Sequence, residues 1–152
     1  MMRVIVPAVM LLFGAFASGD DKKADALSKD AKKELERLQG EWVLKEGQRH
    51  GQTFEVNEKL VLEIKGAKWI FQGKEKGEFI AIHPETDPKC YDLKSSEEGT
   101  KGQVHEGIYK IDGDILTVCI HEGKGKQRPT RFETTAEQPN TILAVLKKVK
   151  KE

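Results

Sequence analysis

From Gly40 onward the chain is divided into short β-favouring runs by glycine-bearing turns, with no helical period between them. The runs that read as strands are Glu41–Lys45, Lys59–Ile64, Lys68–Gln72, Glu78–His83, Cys90–Lys94, His105–Ile111, Asp114–His121, Thr130–Thr134 and Thr141–Val149. Short strands at close spacing, joined without helices, predict an antiparallel meander. Closing such a sheet into a barrel removes its exposed edges. The expected class is therefore all-β, with eight or nine short strands curled into a lipocalin-like, calycin-type barrel; a sandwich is the alternative.

The clearest local signal is Tyr109-Lys110-Ile111-Asp112-Gly113-Asp114-Ile115-Leu116. Asp-Gly between two β-rich runs marks a tight hairpin, because a type I′ turn needs positive φ at both central residues. With Asp112-Gly113 as the loop, Tyr109 faces Leu116 and Glu106 faces Cys119. Tyr109, Leu116, Val118 and Ile120 then share the face that reads as core. Ile108, Lys110, Cys119 and His121 lie on the other face.

Before the strands, Leu27, Ala31, Leu35 and Leu38 step by four, four and three, which is the spacing of an amphipathic helix. Ser28 or Asp30 is placed to cap its start, and Gly40 ends it. Further upstream, Met1-Met2-Arg3 is followed by an apolar run from Val4 to Phe16 and small residues up to Gly19. That order is the pattern of a secretory signal peptide. The run falls short of the roughly 20 residues of a membrane span. The expected organisation is a leader over 1–19, a charged tether over 20–30, the barrel over 31–149 and a basic tail over 150–152. The expected location is periplasmic or extracellular, with no membrane insertion once the leader is cleaved.

Charge narrows the partners. Setting aside Arg3, the 26 basic residues become 25, which balances 25 acidic ones. A neutral, interspersed balance lacks the basic stripe expected of a nucleic-acid-binding protein. With two cysteines, Cys90 and Cys119, an exported protein can form one disulfide. Two separate buried thiols are the favoured reading.

Leu38-Gln39-Gly40-Glu41-Trp42 sets a Gly-x-Trp where the helix gives way to the first strand. Lipocalins and fatty-acid-binding proteins carry a similar Gly-x-Trp, with the tryptophan plugging one end of the barrel. In lipocalins a late basic residue covers its ring. That resemblance makes Trp42 the plug and Lys147 or Lys148 the cover, with Lys147 taken as the partner. The larger ordered set adds Gly107-Ile108-Tyr109, Asp112-Gly113-Asp114-x-Leu116, Cys119, Arg128-Pro129-x-x-Phe132 and Leu143-x-Val145-Leu146-Lys147. Over Leu35 to Lys148 the chain resembles a family of small exported domains abundant in planctomycete bacteria and described as lipocalin-like. The family brings no assigned activity and no catalytic residues. Cys90 departs from it, standing where a smaller residue is expected.

Candidate chemistry is sparse. Cys119 and His121 point the same way on a strand, and Glu106 lies opposite, so the three are the weak candidates for a metal. They lack the paired Cys/His spacing of a zinc site. No Gly-x-Ser-x-Gly nucleophile motif is present, and Gly123-Lys124-Gly125-Lys126 has no helix after it to cradle a phosphate. The sequence thus predicts no enzyme, no cofactor and no metal. Small barrels can enclose one small ligand. Trp69, Phe71, Phe79, Tyr91, Tyr109 and Phe132 are the residues expected to line such a cavity, or else to fill the interior. The expected function is non-catalytic binding of a small apolar ligand. The alternative is an interaction or structural module of the cell envelope with a filled core, using Phe54 or an outward Trp69 against a protein partner.

Overall fold

A computed structural model describes residues 27–57, 59–123, 127–138 and 140–150. The leader and most of the tether read from the sequence lie outside them. Helix α1 spans Lys29–Leu38, and Ser28, the first of the two capping candidates, closes its start by accepting from the Ala31 amide at 3.0 Å. Leu27, Ala31 and Leu38 are buried, as their spacing predicts. Asp30 instead lies in the first turn, where a carboxylate meets the positive end of the helix dipole.

Nine strands follow. They are β1 (Gly40–Arg49), β2 (Gln52–Phe54), β3 (Val61–Lys65), β4 (Lys68–Phe71) and β5 (Lys74–His83), then β6 (Lys89–Ser95), β7 (Val104–Asp112), β8 (Ile115–His121) and β9 (Thr141–Lys148). From β3 to β9 each strand pairs antiparallel with the next, and β9 pairs back onto β1. The result is a closed eight-stranded antiparallel barrel. The ninth strand, β2, is a flap: it folds back on the far half of β1, at Gly47–Arg49, while β3 takes the near half at Gly40–Val43. Closure leaves the eight strands without a free edge, which is the physical reward for a meander of this length.

Three local details differ from the sequence reading. Gln52–Phe54 is a strand although it is too short and too exposed for an alternating pattern. Thr130–Thr134 has strand-like composition but joins no ladder. It runs across the outside of the barrel instead. The β7–β8 loop is Gly113-Asp114, so Tyr109 faces Val118 and Ile111 faces Leu116. Of that pair only Gly113 takes positive φ, at 64°, which suits a type II′ turn with glycine first. Each partner moves by two residues, an even step, so no side chain changes face.

One end of the barrel is packed. Trp42 is 1 % exposed, and its indole N–H donates to the Leu38 carbonyl at 2.9 Å. Lys148 Nζ sits 5.3 Å from the centre of that ring. Lys147, the partner chosen from the sequence, is exposed and faces outward. Strand alternation explains the correction: Leu146 and Lys148 share the inner face, and Lys147 lies between them. Behind the plug, Glu34 of α1 is buried and accepts from Tyr109 Oη at 2.6 Å, Lys89 Nζ at 2.8 Å and Arg37 Nη1 at 2.8 Å. This buried network fastens the helix across β6 and β7.

A second, smaller apolar cluster lies outside the barrel wall, where Cys90, Ile108, Cys119 and Leu143 are covered by Phe132. Arg128 anchors this covering segment. Its guanidinium donates to the Tyr91 and Gly107 carbonyls at 2.9 and 3.0 Å, to Asp92 at 2.6 Å and to Glu106 at 3.1 Å. Several donors fixed in one plane make arginine suited to such a clamp.

Candidate functional site

The end of the barrel away from α1 is hollow. A cavity of about 620 Å³ occupies it and opens to solvent on one side. Its wall is apolar: Leu44 from β1, Leu62 from β3, Trp69 and Phe71 from β4, Leu93 from β6. Val118 and Ile120 of β8 and Ile142, Ala144 and Leu146 of β9 complete it. These are successive inward positions, so the period-two pattern that closes the sheet also greases the cavity.

The hollow and packed halves meet at an aromatic layer. Trp69 stacks on Tyr91 with ring centres 5.9 Å apart, and Phe79 meets both rings edge-on at 5.7 and 5.5 Å. Tyr91 is 1 % exposed and fits because Gly107 has no side chain, since a Cβ there would lie 2.7 Å from the Tyr91 ring. Of the six aromatics expected to line a cavity, Trp69 and Phe71 do so. Phe79 and Tyr91 back the wall, Tyr109 belongs to the packed end with Glu34, and Phe132 lies outside the barrel. Phe132 departs from the interior because its segment forms no strand; Lys110 Nζ lies 4.7 Å from its ring centre.

The rim carries the charge. Arg49 ends β1, Lys76 lies near the start of β5, Glu97 follows β6, and Glu122 follows β8. Lys76 and Glu97 form an ion pair at 2.6 Å. Glu122 is exposed overall, yet its carboxyl is crowded at the mouth, and desolvation raises its pKa while the Arg49 charge holds it back. His105, on the inner face of β7, is buried; desolvation lowers its pKa and favours the uncharged ring. Its Nε2 and the Tyr91 hydroxyl have no hydrogen-bond partner among the described residues. The β1–β2 flap forms one lip. Phe54 there is 37 % exposed and lies over Gly47, where any Cβ would strike its ring.

Two of the three weak metal candidates, Glu106 and Cys119, have other partners, while His121 is buried with its Nε2 unpartnered among the described residues. Under the observed register Glu106 faces His121, and Ile108 faces Cys119. Glu106 is held by Arg128, and Cys119 lies in the outer apolar cluster with its thiol directed at the Glu133 carbonyl, 3.6 Å away. No group of three metal-ligating side chains occurs among the described residues. Burial pushes the Cys119 thiol up to about 11, far from the range of a nucleophilic thiolate. Cys90 and Cys119 are both free and buried. Ile108 stands between them in the ladder, facing each in turn. Two strand spacings amount to roughly 9.6 Å, beyond the ~7 Å Cα separation a disulfide can span.

No family model, curated protein or solved structure matches the chain. The site is therefore described by its own geometry. The rim residues escaped the sequence reading because charged positions at strand ends look like any solvated loop. Their only signal was parity: His105 shares the inward face with Tyr109.

Proposed function

We propose that the protein is an exported, non-catalytic binding domain that takes a small apolar ligand into the hollow end of the barrel. One observation carries the reading: an open cavity of about 620 Å³ lined mostly by apolar side chains, with charged and polar residues at its mouth. That volume falls within the ~300–1,000 Å³ of ligand pockets, where apolar walls supply affinity and a few polar groups fix orientation. A barrel that needed its large side chains only as filler would close this space. Here a layer of three aromatics and the Trp42 plug pack one half and leave the other empty. The buried, protonated Cys119 and the engaged Glu106 offer no activated nucleophile, which supports a binding role over a catalytic one. The leader-like order of residues 1–19 supports export to the periplasm or the medium.

Native mass spectrometry of the protein recovered from the medium or periplasm tests this reading. The expected result is a co-purifying small molecule that is absent from an Ala144→Phe variant, whose larger side chain occupies the cavity. A bare polypeptide mass, unchanged after incubation with a mixture of neutral lipids, would refute it. Cleavage is tested by N-terminal sequencing: export predicts a mature chain beginning at Asp20, whereas an intact Met1 on the recovered protein contradicts it.

A further inference from the structure

The rim of the cavity restricts what its occupant can carry. Among the described lining residues the charged groups are Arg49, Lys76, Glu97 and Glu122, two cations against two carboxylates. One cation is taken and the other is opposed. Lys76 is bound to Glu97 at 2.6 Å. Arg49 and Glu122 form no direct ion pair, but they stand on the same rim, where an anion drawn to Arg49 also meets the Glu122 carboxylate. A carboxylate or phosphate entering the mouth would meet one like-charged carboxylate for every cation. It would also lose its hydration beside an apolar wall, and desolvating an unpaired ion costs far more than desolvating a hydroxyl. An uncharged polar head avoids both costs. His105 lines the same cavity, and burial favours its uncharged ring, so it adds no cation for an anion to meet.

From this charge balance we infer that the ligand is an uncharged amphiphile, with an alkyl or polycyclic body inside the barrel and a hydroxyl or ester head at the rim. The inference rests on the binding reading above and specifies its ligand class. Fatty acids and lipid phosphates, which would suit the same apolar wall, are disfavoured by the rim alone.

Dodecanol and dodecanoate share one chain and differ in head charge, so titrating each at neutral pH isolates the rim. Trp69 supplies the signal, because it stands in the cavity wall while Trp42 lies at the packed end. A Trp69→Phe control should lose the response. The expected result is saturable binding of dodecanol at least about tenfold tighter than dodecanoate, equivalent to roughly 1.4 kcal/mol. In a Glu97→Gln/Glu122→Gln double variant, which leaves Lys76 and Arg49 unopposed, dodecanoate should bind as tightly as dodecanol or tighter. Equal or tighter binding of dodecanoate by the unaltered protein overturns the ligand class but not the cavity. An unchanged preference in the double variant overturns the role given to the rim. Saturable binding of neither ligand overturns the binding reading itself.

Discussion

Glu34 is a carboxylate set into the apolar stripe of α1, three residues after Ala31 and four before Leu38. Burial alone would raise its pKa, but hydrogen bonds from Lys89 and Tyr109 and the charges of Lys89 and Arg37 outweigh that and hold it below the ordinary value. A lowered folded pKa stabilises the fold above the unfolded value of about 4.3 and is lost as pH falls through the folded pKa. Urea unfolding midpoints should therefore drop below about pH 4.5 in the natural protein and drop less in Glu34→Gln. At neutral pH that variant should lose about 1–2 kcal/mol, a figure kept low because Lys89 and Arg37 are partly solvated. Cys119 has the opposite sign. Its thiol is raised to about 11 in the fold, so stability is complete below its unfolded pKa near 8.5 and declines as pH rises through the folded value. A Cys119→Val variant should show a flatter alkaline limb in the same assay. The stripe of Leu27, Ala31, Leu35 and Leu38 was visible in the sequence. The role of Glu34 was not, because its partners Lys89 and Tyr109 lie 55 and 75 residues away along the chain.

The strands were legible wherever one face is buried and the other is not. On β3 the buried Leu62 and Ile64 alternate with Glu63 and Lys65. On β8 both faces are buried, and Val118 and Ile120 keep the inner one although the turn moved the partners by two. Thr130–Thr134 misled because β-branched composition describes a surface that fits a sheet, whereas a strand also needs a free edge to pair with. The closed barrel offers none there, so the segment lies flat and buries Phe132 against the outer cluster. Arg128 holds it by four hydrogen bonds. Arg128→Lys keeps the charge but loses the planar fork, and amides over 130–135 should then exchange with solvent faster while those of β7 do not. Unchanged exchange would show that Phe132 alone retains the segment. Gly107→Ala introduces a Cβ into the Tyr91 ring, and overpacking of this kind costs about 1–3 kcal/mol. Thermal unfolding should report that loss, and a tolerated alanine would mean that Tyr91 is free to move.

The barrel joins two unlike halves: a packed end fastened by Trp42, Glu34 and α1, and an empty end at which the charges of the described lining residues balance. The antiparallel meander followed from period and turn chemistry, and closure was preferred to a sandwich because it removes free edges; the missed Gln52–Phe54 and the unpaired Thr130–Thr134 offset each other in the count. Whether the interior was filled did not follow, because an inward leucine reads the same whether it touches another side chain or empty space. If the hollow end exists to hold an apolar guest, filling it should abolish binding without harming the fold. The decisive measurement is titration of a neutral fluorescent probe, N-phenylnaphthylamine, into the natural protein and into Ala144→Phe, with the melting temperature of each. The account predicts saturable one-to-one binding by the natural protein, at least about tenfold weaker binding by the variant, and a melting temperature no lower in the variant. Equal binding by both proteins, or none by the natural one, would contradict it.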